Sequence, residues 1–280
     1  MLDGLDEQIR GGLSDKQKTY LLDLLEAVEQ SHKALTSVKI VLLFRHDILQ
    51  AISGEANLNK IFTARSCALS WLSINTNFKE TPLYQLIDKR VVTSAEAHGK
   101  KINLSNILPP KMNTYETWDW ILDLTTYTPR DIVAFFNCCK ELAGDERCLS
   151  SNNLWDATRN YSDYLWMEFQ DVLAGTSLAG KEEQLLILFN KIALHHNIRT
   201  GRTKFPFSVF QSIYSEIPEF QDLSVLDALK VLYESGMMCI HTTSGTYWNF
   251  RENPLPFNAD IWKGASFDIH KGLWKKLHIW

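Results

Sequence analysis

The sequence is poor in cysteine and has no long hydrophobic run. Its five cysteines are odd in number and form no C-x-x-C pair, which favours reduced thiols in a cytoplasmic protein over a disulfide framework. The first residues contain neither a basic segment nor an apolar stretch of the kind found in a secretory signal. The strongest apolar runs, such as residues 40–44 and 185–189, are far too short to cross a bilayer, so we expect no membrane partner.

The chain also lacks an excess of basic residues. Twenty-nine lysines and arginines face 33 acidic residues, which gives a net charge of −4. This balance argues against a protein whose main activity is non-specific nucleic-acid binding, although a local basic patch is compatible with it. Hydrophobic residues make up 45% of the 280 residues, enough to fill the core of one large domain or of two to three small ones.

The first part of the chain contains a helical pattern followed by an apolar run. Leu21, Leu22 and Leu25 recur at helical spacing, which predicts an amphipathic helix over residues 14–35. Residues 38–45, VKIVLLFR, are apolar at nearly every position and bounded by polar residues. This pattern predicts a fully buried parallel strand.

The middle of the chain, residues 46–174, is predicted to be mainly helical. Helices are expected over residues 82–92, 128–142 and 150–174, where apolar residues recur on one face. Residues 93–111 are polar and end in a Pro-Pro pair, which favours a surface loop.

The last part of the chain follows the order of a winged helix. Helices are predicted over residues 181–196, 207–217 and 223–235, and two strands over 237–242 and 246–251 are joined by a Thr-Ser-Gly turn. Winged helices that bind DNA insert their third helix into the major groove. This segment, however, carries more acidic than basic residues, so DNA is a candidate partner that the charge does not favour, and packing against protein is favoured instead.

Three acids lie close to the start of the sequence: Asp3, Asp6 and Glu7. In nucleotide-hydrolysing sites one carboxylate at a strand end holds the magnesium shell, and a second acid orients the attacking water. The predicted helix and buried strand follow in the strand–helix–strand order of a parallel sheet, and Arg45 leaves that strand at the sheet edge where ligands bind. Its guanidinium could therefore face a γ-phosphate. An exposed acidic turn and a solvated salt-bridged turn are the alternative interpretations of these segments.

Other patterns point to binding sites less strongly. Arg130, at the start of a predicted helix, is either a lid arginine that reaches a nucleotide or a surface residue. Residues 175–181 match the phosphate-binding pattern G-x-x-x-x-G-K, but Glu182 stands where Ser or Thr is needed and the preceding residues are helical, so we interpret them as a linker. The adjacent pairs Cys138-Cys139 and His195-His196 rarely chelate together on a helix, so we expect no zinc.

The segments that contain these residues resemble a known group of ATPases. Residues 1–7, MLDGLDE, resemble the Walker B segment of STAND and NACHT-type signalling ATPases, and residues 41–48, VLLFRHDI, resemble their sensor-1 strand. Further short matches lie at Ser70-Trp71, Pro82-Leu83, Lys89-Arg90, Pro129-Arg130-Asp131-Ile132 and residues 269–274. Together they look like a prokaryotic P-loop ATPase family that has a helical lid and a C-terminal winged helix.

The resemblance implies roles for five residues, which we call the predicted site residues. Asp3 would be the magnesium-side acid, Asp6 or Glu7 would polarise water, Arg45 would act as sensor 1, and Arg130 would act as a sensor-2-like lid arginine. The resemblance also implies a nucleotide-dependent switch of the kind used in signalling or defence.

The sequence departs from that family in one important respect. These ATPases place the phosphate-binding loop and two sheet strands before Walker B, and this sequence contains neither. We therefore expect the chain alone neither to bind nor to hydrolyse ATP well. ATP and Mg²⁺ are expected as cofactors only when the missing N-terminal portion is supplied by a preceding segment, by a partner chain or within a homo-oligomer.

The predicted fold is mainly α with a small β component. A partial P-loop NTPase core with a remnant of its parallel sheet is assigned to residues 1–75, a helical lid to 76–178, and a winged-helix-like domain with a C-terminal tail to 179–280. Two alternatives remain open at this point. One is a non-enzymatic winged-helix module that binds DNA or protein, and the other is an unrelated helical adaptor.

Overall fold

The computed structural model describes residues 15–44, 52, 66, 67, 71, 78–144, 146–195, 204–250 and 254–279. They fall into two compact units, one within residues 1–69 together with 174–176, and one comprising 70–173 and 177–280. The described fold is mainly helical, with two small antiparallel sheets. None of the described helices combines the length and the hydropathy needed to cross a membrane.

The first unit is built around α1 (Asp15–Ala34), which confirms the predicted amphipathic helix. Leu21 and Leu25 are buried on one face of this helix, and the half-buried Leu42 and Phe44 belong to the same apolar cluster. Asp15 lies in the first turn and Lys33 in the last, the arrangement that the helix dipole favours.

The prediction of a buried parallel strand is wrong for residues 38–44. These residues form no strand, and the side chains of Val41 and Leu43 are 78% and 74% exposed. Leu42 and Phe44 pack against the cluster that includes Leu21 and Leu25 of α1, whereas Val38 and Ile40 are exposed. The physical reason is that a parallel strand needs hydrogen-bonded neighbours, and both described sheets are formed by other segments. Arg45 lies outside the described residues.

The second unit contains nine described α-helices, three 3₁₀ turns and six strands. The helices are α2 (Pro82–Ala97), α3 (Leu104–Ile107), α4 (Thr117–Leu124), α5 (Pro129–Ala143), α6 (Ser151–Leu173), α7 (Glu182–His195), α8 (Phe207–Ser215), α9 (Val225–Glu234) and α10 (Ala259–Lys263). The 3₁₀ turns are Phe78–Glu80, Pro218–Phe220 and Lys271–Leu273. The strands are β1 (Lys111–Met112), β2 (Tyr115–Glu116), β3 (Phe205–Pro206), β4 (Met238–Thr242), β5 (Gly245–Tyr247) and β6 (Ser266–Ile269).

Side-chain caps fix where several of these helices begin. The hydroxyls of Thr81 and Thr128 accept hydrogen bonds from backbone amides in the first turns of α2 and α5, and a proline follows each threonine. The hydroxyl of Ser224 accepts in the same way from the first turn of α9. The predicted helices over the middle and last parts of the chain are confirmed, with shifts of a few residues at their ends.

The predicted surface loop over residues 93–111 is largely wrong. Helix α2 continues to Ala97, α3 follows, and Lys111 begins β1. The polar residues Thr93, Ser94 and Glu96 lie on the exposed side of α2. Their polarity therefore reflects a solvated helix face rather than the absence of secondary structure.

The helices of the second unit pack around an aromatic core that includes α4, a helix that sequence analysis missed. Trp118 and Trp120 of α4 are buried, and the Trp120 ring stacks on Trp155 of α6 with 6.1 Å between ring centroids. Phe135 of α5 meets Tyr161 of α6 edge to face at 5.3 Å. The aromatic contacts join α4, α5 and α6 into one layer.

The larger sheet has the strand order β3-β6-β4-β5, with every pair antiparallel. The predicted hairpin is confirmed as β4 and β5, in which Thr242 pairs with Gly245 across the turn. Strand β6 was not predicted. It lies between β3 and β4, and Phe267 is paired with Phe205 on one side and with Ile240 on the other.

The end of the chain joins the helical segment, residues 76–178, to the larger sheet. After β6, the turn Lys271–Leu273 packs on α4 and α6, and the Lys271 ammonium lies 2.5 Å from the Asp123 carboxylate. The backbone amide of Lys276 donates to the hydroxyl of buried Ser162, at 2.9 Å. The helical segment consequently shares one hydrophobic core with the C-terminal segment, residues 179–280. The prediction from the sequence assigns these two segments to separate domains.

Candidate functional site

Four of the predicted site residues, Asp3, Asp6, Glu7 and Arg45, lie outside the described residues, and their predicted roles stay predictions. Arg130 is described. It occupies the first turn of α5, directly after Pro129.

The Arg130 side chain extends into solvent. It is 82% exposed, and its Nη1 atom lies 3.9 Å from the Glu168 carboxylate of α6. A long, solvent-exposed ion pair of this kind holds a side chain only weakly. Arg130 can therefore leave Glu168 at little cost.

The next residue, Asp131, is buried, and its side chain is hydrogen-bonded within the protein. Its carboxylate accepts hydrogen bonds from the Tyr161 hydroxyl at 2.5 Å, from the Thr126 hydroxyl at 2.8 Å and from the Thr126 backbone amide. Burial raises the pKa of Asp131, and the three hydrogen bonds oppose this rise. Burial and the neighbouring carboxylate raise the pKa of Tyr161. The cluster joins the start of α5 to α6, and both Asp131 and Tyr161 are buried.

The sequence that resembles a phosphate-binding loop is a turn between α6 and α7, as the linker interpretation predicted. The Gly180 amide donates to the Glu182 carboxylate at 3.0 Å, and the Lys181 ammonium donates to the Glu219 carbonyl. A phosphate loop must present free amides and a free lysine to its ligand. Here these donors are already used within the protein.

A groove of about 620 Å³ lies between α2 and α5. Residues of α2 that line it follow helical spacing from Ile87 to Ala95, and those of α5 do so from Val133 to Lys140. Residues after α2 and after α5 close its sides. The volume lies within the range of ligand-binding clefts.

Hydrogen bonds fix the walls of the groove. The Leu149 amide donates to the Ile107 carbonyl at 2.8 Å, and the Cys148 thiol donates to the Asn106 carbonyl at 3.4 Å. On the other side, the Leu104 amide donates to the Asp88 carboxylate at 2.7 Å. Helix α3 is therefore held against α2 at its first residue and against the loop that follows α5 at its last two residues.

The groove combines an apolar floor with a basic rim. The floor consists of six half-buried side chains: Val91, Ile102, Ile107, Val133, Phe136 and Leu149. The rim consists of four exposed cations: Arg90, Lys100, Lys140 and Arg147. Glu146 is the acidic residue among the described lining residues.

The rim cations are available to a ligand. None of them forms an ion pair with another residue of the described part of the chain. Four positive charges around one concavity also contrast with the net charge of −4 for the chain. The site is not evident from the sequence because the four cations are spread over 58 positions, and only the packing of α2 beside α5 brings them together.

A second polar cluster lies on the larger sheet. The Nε2 atom of His241 is 3.3 Å from the Cys239 thiol, and its Nδ1 atom is 2.7 Å from the Thr246 hydroxyl. Burial, with a contribution from Lys204, lowers the pKa of His241 to about 4, so the imidazole is neutral at pH 7. Within the described ranges, no group of three His, Cys, Asp or Glu side chains is arranged to hold a metal ion.

Comparison with known proteins assigns a relationship to the segment that contains the groove. Residues 81–170 match the family model of the FunZ-associated C-terminal helical domain. The match runs from the cap of α2 into α6 and so includes both helices of the groove. No curated protein and no solved structure matches the chain.

Proposed function

We propose that the chain is the regulatory C-terminal part of a P-loop ATPase that works as a nucleotide-dependent switch. The observation that carries this proposal is the element order of residues 182–279. Helix α7, strand β3 and helices α8 and α9 precede the β4–β5 hairpin, which is the order of a winged helix. It follows a helical segment that is similar to a C-terminal helical domain. A helical segment followed by a winged helix is the arrangement expected from the resemblance to regulatory ATPases.

In this proposal the nucleotide contacts come partly from outside these 280 residues. The turn that matches G-x-x-x-x-G-K has its amide and lysine donors engaged within the protein, so ATP and Mg²⁺ need a phosphate-binding loop from a preceding segment, a partner chain or another copy. Arg130 supports a lid role because its side chain is exposed and weakly paired.

The winged-helix-type segment is proposed to contact protein rather than DNA. The exposed residues of α9 include Asp227 and Glu234, and the half-exposed Lys230 lies 3.8 Å from Glu234. A helix that enters the major groove needs basic or amide side chains at its exposed face. Duplex binding that weakens steeply as salt rises would overturn this part of the proposal.

The decisive experiment combines sequencing with ATP titration. The reading frame upstream of the Met1 codon and the neighbouring genes are sequenced, and ATP binding and hydrolysis are measured for the chain alone and with the phosphate-loop segment so identified. We expect an encoded G-x-x-x-x-G-K-[ST] segment, and saturable ATP binding only for the combined protein. A stop codon directly before Met1, with no adjacent gene for such a segment, would contradict the proposal.

A further inference from the structure

The groove between α2 and α5 has a composition that selects one class of ligand. We infer that it is the docking site for an acidic amphipathic helix of a protein partner. The inference needs no nucleotide chemistry and stands independently of the proposed ATPase.

The shape of the groove suits the apolar side of a helix. Its floor is formed by residues of α2, α3 and α5 and of the loops that follow α2 and α5, and these side chains are half-buried. Three or four apolar side chains of an incoming helix would cover this floor and remove it from water. Helices bind grooves in this way through residues spaced i, i+3, i+4 and i+7.

The charge of the groove requires acidic residues beside those apolar ones. Arg90 and Lys140 project from the facing helices, and Lys100 and Arg147 project from the loops. Carboxylates on both flanks of an apolar stripe would therefore meet cations on either side of the floor. Such complementarity speeds association and rejects neutral or basic helices.

The same observations argue against a nucleic acid as the ligand. Proteins bind single strands by combining cations with aromatic rings on which bases stack. The aromatic rings among the described lining residues are Phe136, which is half-buried, and the imidazole of His98, whose Nδ1 atom lies 2.9 Å from the Ser94 carbonyl oxygen. Polar sugar and phosphate would cover the apolar floor without a gain in free energy, so an acidic protein helix is the better match.

The test uses the full chain and a fluorescein-labelled peptide of about 16 residues, roughly four helical turns. The peptide carries leucines at i, i+3, i+4 and i+7 with glutamates on both flanks. Binding is measured by fluorescence anisotropy for the wild type and for the double variant Arg90→Glu/Lys140→Glu. Lys89→Glu is the matched control, because Lys89 is exposed on α2 next to Arg90 but does not line the groove.

We expect the double variant to weaken peptide binding at least about tenfold and Lys89→Glu to change it less than about twofold. Replacing the peptide leucines by serine should weaken binding by a similar factor, about tenfold. Scrambling the peptide sequence, so that the leucines no longer lie on one helix face, should have the same effect. A single-stranded oligonucleotide of matched charge should bind at least about tenfold more weakly than the peptide. If the double variant lowers the melting temperature, Arg90→Gln and Lys140→Gln replace it, each with an expected loss of about threefold.

Three results would each overturn the inference. They are no binding of the acidic peptide at about 50 mM salt, equal binding of the ordered and scrambled peptides, and tighter binding of the oligonucleotide. None of these outcomes depends on ATP, so failure of the groove and failure of the ATPase proposal are distinguishable.

Discussion

At the scale of single residues, Arg130 and Asp131 show how neighbouring positions on one helix take opposite environments. Arg130 faces solvent, with a weak contact to Glu168. Asp131 is buried and accepts hydrogen bonds from Thr126 and Tyr161. The short motif of residues 129–132 therefore contains one exposed side chain with a proposed function and one buried side chain with a structural role.

The exposure of Arg130 leads to a prediction that rests on the proposed function. Arg130→Ala should leave the free energy of unfolding within about 0.5 kcal/mol, because the side chain loses no buried contact. In the assembly that hydrolyses ATP, it should lower kcat at least about tenfold, through the loss of a positive charge near the phosphates. Arg159→Ala, an exposed arginine on α6, is the control. An unchanged kcat for Arg130→Ala would contradict the lid role.

The burial of Asp131 leads to a prediction about pH. Because burial raises its pKa above the ordinary value of 3.8, the folded chain holds this proton more tightly than the unfolded chain does. The group's contribution to stability is therefore largest below pH 3.8 and falls as the pH rises toward the folded pKa. Asp131→Asn cannot titrate and should lack this fall, so the stability difference between the two proteins should change with pH.

The measurement is urea unfolding of wild type and Asp131→Asn between about pH 3 and pH 7. At neutral pH the free energy of unfolding of Asp131→Asn should differ from that of the wild type by about 1–3 kcal/mol, since the amide replaces an acceptor of several hydrogen bonds. Asp156→Asn, on the exposed side of α6, should stay within about 0.5 kcal/mol of wild type. Parallel pH profiles for wild type and Asp131→Asn would contradict a buried titrating carboxylate.

At the scale of elements, the turn after β6 packs on α4 and α6, and its Gly272 backbone lies very close to both helices. A Cβ atom at Gly272 would lie 2.3 Å from the Leu124 carbonyl oxygen and 2.5 Å from the Leu165 Cδ2 atom. Both distances are well inside van der Waals contact, and the carbonyl is part of the backbone. The glycine is required there because it allows the turn to pack directly on α4 and α6.

We therefore predict that Gly272→Ala destabilises the protein by about 2–4 kcal/mol, since either the turn or α4 must move. Gly264→Ala is the matched control, because its nearest neighbours would lie at 3.7 and 3.8 Å, which is ordinary contact. Thermal unfolding followed by circular dichroism compares the two variants. Similar melting temperatures for both would show that the turn does not pack as described.

At the scale of the whole molecule, the C-terminal segment is part of the core of the helical segment. Strand β6 lies in the interior of the larger sheet, and the residues after it contact α4 and α6. Leu273, Leu277 and Ile279 are buried in the same hydrophobic core as Trp118 and Tyr161. Residues far apart in the sequence therefore depend on one another for burial.

Deletion of residues 266–280 should consequently disrupt the helical segment as well as the sheet. The deletion removes a strand with two partners and uncovers the surfaces of α4 and α6, so we expect loss of near-UV circular dichroism and of the cooperative thermal transition. The control is the full-length chain measured under the same conditions. A truncated protein with a native near-UV spectrum and a sharp transition would contradict the shared core.

The described fold was predictable from the sequence where the information is local. Helical spacing and the Thr-Ser-Gly turn each act over a few residues, and the elements that they predict are present. The phosphate-loop pattern could also be rejected from local sequence, because Glu182, next to Lys181, stands where the pattern needs Ser or Thr. These features depend on backbone and side-chain chemistry that distant residues do not change.

Tertiary structure decided the features that depend on distant partners. Residues 38–44 have the composition of a buried strand, but a strand exists only where another strand supplies hydrogen bonds. Strand β6 is formed because β3 and β4 lie on either side of it. In the same way, the basic groove arises only when α2 packs beside α5, since charge and apolar surface become a site through proximity in space. The sequence alone thus determined the long helices, such as α1, α5 and α6, and packing determined which helix faces form the groove.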